Sequence, residues 1–231
     1  MIRKNKNKII KDMFQAYLID GAQLTKPDGF PVIEENIVSN IIPKELVQWD
    51  RRSDIKDYQN TGICFYCNDE GFSGVLNHPN RTCYIDLLKR VAVVIGLDAS
   101  PYDDMPLVVQ KYQIFRNLAI TYYYGKLGIK IIPNVRLGSN YTFSSLEAYP
   151  KHTLIAIGTN GFMKNKDNRY LYTIQFKRIV EELEPSGILI YGPVYKEIND
   201  IAIDKGIKIY PYDSYTMKQN KIDKQKEDGI L

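Results

Sequence analysis

Histidine is almost missing from this chain. His78 and His152 are the only two, they stand far apart in sequence, and each lies near a proline. A mechanism built on histidine is therefore not expected. Cysteine is sparse as well. The three residues Cys64, Cys67 and Cys83 form an odd set that fits a reducing compartment better than a disulfide framework. Cys64-Phe65-Tyr66-Cys67 has the C-x-x-C spacing, but no second pair follows, and only His78 and Cys83 could complete a zinc set. The segment ICFYC also reads as a strand, which would send Cys64 and Cys67 to opposite faces as small hydrophobes. No apolar run approaches the ~18 residues of a membrane span. The N-terminal MIRKNKNKIIKDMF is basic but lacks the apolar segment of a signal peptide, so a cytoplasmic protein with no membrane partner is expected. Neither a G-x-x-x-x-G-K-[ST] phosphate loop nor a G-x-S-x-G elbow occurs, and Gly158-Thr159-Asn160-Gly161 is too short for a dinucleotide fingerprint.

What is present describes an ordinary globular protein. The chain has 231 residues, 44% hydrophobic and 25% charged, enough for a core that needs no disulfide or metal. A net charge of +4 permits an anionic partner without demanding one. The 18 tyrosines are read first as core and interface material, and only second as platforms for stacking on bases.

Three regions follow from the pattern: an N-terminal segment over 1–60, an α/β core over 61–213 and a polar tail over 214–231. Residues 1–20 read as a basic helix, with Ile9, Ile10, Met13, Phe14 and Tyr17 at helical spacing. Residues 21–60, broken by Pro27, Pro31 and Pro43, read as irregular structure with short elements, anchored by Trp49. From Gly62 onward short apolar runs alternate with helical stretches. The runs are Gly62–Tyr66, Val91–Ile95, Ile129–Ile132, Leu154–Ile157, Gly187–Tyr191 and Ile207–Tyr210. The longest helical stretch, Met105–Leu127, carries Leu107, Val108, Tyr112, Phe115, Leu118, Ala119 and Tyr122 on one broad face, with Asp104 as its cap and Pro106 in its first turn. The fold expected is α/β, a mainly parallel sheet of βα units preceded by an irregular segment, with a partial or degenerate barrel as one form of that sheet.

In parallel α/β folds ligands are met at the carboxyl ends of the strands. That rule selects Asn68 and Asp69; Asp98, Ser100, Asp103 and Asp104; Asn134 and Arg136; Thr159 and Asn160; and Tyr191. Carboxylates beside an arginine and amides suit phosphate, sugar or a hydrated metal. The stretch Gly96-Leu-Asp-Ala-Ser-Pro-Tyr-Asp-Asp-Met-Pro106 is the focus. Its aspartates can hold Mg²⁺, can act as a tuned acid or base, or can only cap and turn. Asp98, the first polar residue after a buried strand, is the leading catalytic candidate and Asp104 the second. Whether the chain is an enzyme stays open at this stage. The other class is a non-catalytic module engaging DNA or a host protein, with Arg3, Lys4, Lys6 and Lys8 meeting phosphates.

The ordered blocks IPKELVQWD, CFYCNDEGF, VIGLDASPYDDMPLVVQ, FRN, GIKIIPNVRLG, LIAIGTNGF and LEPSGILIYGP resemble a family of uncharacterised proteins, a domain of unknown function carried by bacteria and by their phages, plasmids and integrated elements. The resemblance spans about residues 40–212. It matches D-x-S-x-Y-x-D-M-P at Asp98, Ser100, Tyr102, Asp104, Met105 and Pro106, and I-P-x-V at Ile132, Pro133 and Val135. Where members of the family carry an F-x-D-D strand end, Asn68-Asp69 stands here, with an amide in place of one carboxylate. The family's setting in mobile elements suggests nucleic-acid transactions and implies no particular reaction; joined to the polar strand-end rim, it makes the leading expectation a mobile-element protein acting there on a phosphate-bearing ligand, nucleotide or nucleic acid.

Overall fold

The structure, a computed structural model, describes residue 12, residues 15–159 and residues 166–227. The expected helix over 1–20 falls mostly outside these residues; within them, Ala16–Ile19 form a single 3-10 turn. Among the described residues seven strands follow: β1 (Glu45–Gln48), β2 (Thr61–Cys64), β3 (Val93–Ile95), β4 (Ile131–Ile132), β5 (Leu154–Gly158), β6 (Gly187–Tyr191) and β7 (Ile209–Tyr212). The helices are α1 (Ser73–Asn77), α2 (Thr82–Arg90), α3 (Leu107–Lys126), α4 (Lys166–Leu183), α5 (Lys196–Asp204) and α6 (Tyr215–Glu227).

Every strand pair is parallel, and the spatial order follows the chain. β1 to β4 form one sheet and β5 to β7 another, joined by a single parallel bridge between Asn134 and Ala156. β7 does not pair with β1, so the barrel is not closed. At that seam Tyr212 Oη donates to Pro43 O at 2.8 Å, and Lys218 of α6 lies 3.8 Å from Glu45. The α/β reading and the parallel sheet stand.

The strand pleat sorts side chains into two layers. Leu46, Cys64, Tyr66, Val93, Ile95, Ile132, Leu154, Ala156, Leu189 and Tyr191 form one inner cluster, contributed by β1 to β6 and the residues just beyond β2. Their neighbours point outward to the helices. Ile63, Val94 and Ile131 pack with Trp49, Leu88, Ile120 and Tyr124, while Ile155, Ile157, Ile188 and Ile190 pack with Ile114, Leu118, Phe176 and Ile198. Each such side chain contributes about 1.5–3 kcal/mol on burial, offset by chain entropy. Burial on both faces explains the unbroken apolar runs of the sequence.

Three details differ from the sequence reading. Residues 45–48 lie in the segment read as irregular, yet they form β1. This edge strand places only Leu46 in the inner cluster, and its charged neighbours suit an edge. In α3, Leu107, Val108 and Tyr112 are exposed rather than buried. Gln110 faces inward in the first turns instead, donating to Met105 O at 2.7 Å and accepting from Ser139 N at 2.7 Å. Finally, residues 215–227 are helical rather than frayed, and Tyr215 N donates to the Tyr191 hydroxyl at 2.9 Å. Trp49 anchors its segment as expected, 2% exposed and stacked on Phe65 at 5.5 Å.

Candidate functional site

A cleft of about 580 Å³ opens at the carboxyl ends of β1 to β5. Gln48 enters it from the end of β1, and Tyr66, Cys67 and Asn68 from the segment after β2. Asp98, Ser100, Tyr102 and Asp103 enter from the loop after β3, Arg136 from beyond β4 and Gly158 from the end of β5. Asp50 and Asn168 complete the wall. The loop geometry follows from local chemistry. Asn117, buried in α3, accepts from Ala99 N at 2.8 Å and donates to Ala99 O at 2.9 Å, which pins the loop just after Asp98. Gly96 sits where an added Cβ would lie 2.9 Å from Asn134 N, so the β3 and β4 ends approach closely because that side chain is absent.

Asp98 is the electrostatic centre. It is 7% exposed, and burial pushes its carboxyl above the usual carboxylate range. The Arg136 guanidinium and the Asn134 hydrogen bond oppose that rise, and the charge of Asp69 adds to it. Arg136 Nε stands 3.9 Å from Asp98 Oδ1, and Asn134 Nδ2 donates to the same oxygen at 2.8 Å. Asn134 Nδ2 also donates to Leu97 O at 2.8 Å, while its Oδ1 accepts from Tyr66 Oη at 2.9 Å. The Tyr66 ring stacks on Tyr191 with centroids 5.2 Å apart. Gln48 Nε2 donates to Tyr66 O. A buried carboxyl is thus held between a cation and an amide, with its outer edge toward the cleft.

The structure brings together most of the residues chosen by the strand-end rule. Asn68, Asp98, Ser100 and Arg136 share the cleft, and Asn134 lies directly behind Asp98. Asp69 stands behind Ser100, whose N and Oγ both donate to it at 3.2 Å. Thr159 and Tyr191 are buried supports rather than cleft walls; Thr159 Oγ1 donates to Pro193 O at 2.9 Å. Asp104 is exposed and outside the cleft, where Asp103 takes the position instead. Asp104 does not cap α3 either: the N-cap is Pro106, and no side chain caps the helix. A proline at that entry has no N–H to satisfy. Asn160 and the basic set Arg3, Lys4, Lys6 and Lys8 lie outside the described residues. For the Mg²⁺ expectation, the described residues contain no group of three or more His, Cys, Asp or Glu side chains placed to hold a metal ion.

Sequence reasoning missed Tyr66, Gln48 and Asp50. Tyr66 was accessible to it, since it shares the parity of Cys64 and stands two residues before Asn68, the chosen strand end. Gln48 and Asp50 follow from β1, the strand that was not read as one.

The chain matches the family described as Domain of unknown function (DUF4417) over residues 26–213. It is 22% identical over 176 residues to the Gene 1 protein of Mycobacterium phage L5, covering 75% of each chain. No solved structure matches it. None of its helices among the described residues is long and apolar enough to cross a membrane. The match covers most of the chain, and the chain belongs to that family, as the ordered sequence blocks implied.

Proposed function

We propose that this family member, related to a phage protein, takes a phosphate-bearing ligand of the nucleotide class into the rim cleft. The carrying observation is the convergence of Arg136 and Asp98 on one wall of a single concave site, 3.9 Å apart. A guanidinium at such a wall is suited to a phosphate oxygen, with two N–H groups presented in a plane. The exposed Tyr102 at the lip offers an aromatic face for a base. Asp50, Asp103, Ser100 and Asn68 supply polar groups for hydroxyl and amino partners. Asp98, whose carboxyl burial raises above its ordinary value, is the group suited to give or take a proton at a reacting atom. Asp104 has no contact with a ligand bound there. Mg²⁺ in this reading arrives with the ligand's phosphates and meets one or two rim carboxylates, because that ion keeps most of its water.

Calorimetric titration with a panel of nucleoside mono-, di- and triphosphates, with and without Mg²⁺, tests the proposal. Binding is expected for at least one class. Arg136→Met is expected to weaken it about tenfold or more, equivalent to about 1.4 kcal/mol. Absence of binding across the panel, or equal affinity in the variant, refutes it.

A second reading, a non-catalytic module for DNA or a host protein, draws on the exposed apolar side chains Val108 and Tyr112 of α3. Tyr141 is exposed as well, in the 3-10 segment Asn140–Ala148 that packs against α3. If this reading holds, Val108→Asp abolishes biological activity while Asp98→Asn leaves it intact.

A further inference from the structure

We infer that the opposite end of the sheet binds the phosphate backbone of a nucleic acid through Lys56, Lys89, Arg90 and Lys130. These four cations line one shallow concavity of about 680 Å³. They come from three separate segments: Lys56 precedes β2, Lys89 and Arg90 precede β3, and Lys130 precedes β4. All four are exposed. The concavity therefore lies at the amino ends of the strands, away from the rim cleft, and the inference does not depend on the reading of that cleft.

Two observations separate this surface from an ordinary solvated face. None of the four cations takes part in an ion pair among the described residues. The one carboxylate in the lining, Asp57, accepts from Asn60 Nδ2 at 2.6 Å and is held in its own turn. Like charges gathered from three segments repel one another, and the surface relieves that repulsion by binding an anion. Lys89 and Arg90 also complement the carboxyl end of α2. Lys56 and Lys130 lie outside any helix. Arg90 lies 4.3 Å over the Tyr58 ring, which fixes its guanidinium within the concavity. The surface is broad, and its charges are spread along three strand ends, a shape matched by a chain of phosphates rather than by one ion.

Fluorescence anisotropy with labelled single-stranded and duplex oligonucleotides, titrated between about 50 and 200 mM salt, tests the inference. The full chain is expected to bind with affinity that falls steeply with salt. The variant K56Q/K89Q/R90Q/K130Q is expected to weaken binding at least about tenfold. It should also lower the log–log salt slope by about one unit for each phosphate that is no longer neutralised. K56Q/K130Q, which leaves α2 untouched, is expected to show about half that reduction in slope, and it serves if the quadruple variant melts early. Lys196→Gln, on α5 and outside the concavity, is expected to leave oligonucleotide affinity unchanged. Four outcomes overturn the inference. The wild-type chain fails to bind, or both charge variants bind as the wild type does. Weakening by R3Q/K4Q/K6Q/K8Q alone moves the binding surface to the N-terminal arm. Displacement by inorganic phosphate at matched ionic strength marks a small-ion site instead of a polymer track.

Discussion

Asn134 Nδ2 donates to Asp98 Oδ1 at 2.8 Å, so the end of β4 holds the carboxyl that the loop after β3 delivers. The same amide accepts from Tyr66 Oη at 2.9 Å, which ties in the segment after β2. One buried side chain thereby sets the position of groups from three successive strand ends. Asn134→Leu would leave Leu97 O without its side-chain donor and Tyr66 Oη without its acceptor, each a loss of about 1–3 kcal/mol. We expect that variant to unfold at markedly lower temperature in a thermal melt, and an unchanged melt would show that the network does not hold the rim.

Asp98 carries a pH signature. Burial places its folded-state pKa above the unfolded value of about 4. The native state therefore binds the proton more tightly than the unfolded chain. The penalty for ionising Asp98 is absent below about pH 4, grows as pH rises through the raised value and is complete above it. Asp98→Asn removes the ionisable group and keeps the acceptor for Asn134. The variant is expected to melt above the wild type at pH 7 to 8 and to lose that advantage near pH 4, by about 2–4 °C for each kcal/mol relieved in a chain of this size. A lower melting temperature at neutral pH would mean that pairing with Arg136 outweighs burial. In the role proposed for Asp98, the same variant is expected to bind ligand less well.

Arg136 opposes the upward shift of Asp98, so its removal has a predictable sign. In Arg136→Met the buried carboxyl loses its cation, and its pKa rises further. Stability at neutral pH is expected to fall, because the desolvated carboxyl then has no cation to offset its burial. The double variant D98N/R136M should recover much of that loss, because the stranded charge is gone. A double-mutant cycle with no coupling between the two sites would contradict the pairing.

The architecture was legible because it rests on patterns that sequence carries directly. Residues Val93–Ile95 and Gly187–Tyr191 are buried on both faces, and both read as continuous apolar runs. The cleft followed from one topological rule applied to their ends, which selected Asp98, Ser100 and Arg136 correctly as neighbours. The failures have local causes. β1 buries only Leu46 deeply against the interior and Val47 partly outside, too little for a run to show. Asp103 and Asp104 are adjacent and chemically identical, so only the turn closed by Met105 N on Tyr102 O at 3.1 Å decides which faces the cleft. Gln110 inverted the expected face of α3 because a polar side chain can lie inward once its amide is fully bonded.

Cys67 tests the cleft from another side. It lines the cavity, yet burial, reinforced by the charge of Asp50, pushes its thiol up to about 12. The thiolate is the nucleophile, so Cys67 is expected to resist alkylation at pH 7 to 8. Cys83 is exposed and Cys64 is buried. Mass spectrometry after brief iodoacetamide treatment should find Cys83 modified first, and early labelling of Cys67 would mean that the cleft is wetter and less acidic than its walls indicate.

Gly158 offers the sharpest test of the packing beneath the site. A Cβ there would lie 2.6 Å from Tyr66 Cδ1 and 2.7 Å from Cε1, well inside van der Waals contact. Tyr66 cannot yield easily: its ring stacks on Tyr191 at 5.2 Å, and its hydroxyl is held by Asn134. Gly158→Ala is therefore expected to destabilise the chain by about 1–3 kcal/mol through overpacking. It should also weaken ligand binding, since any tilt of Tyr66 drags the Asn134 amide away from Asp98. In a Tyr66→Leu background the ring is gone and the added methyl has room, so the same substitution should then have almost no further effect. Equal penalties in both backgrounds would show that the clash lies elsewhere, and that the stack on Tyr191 does not position the buried carboxyl.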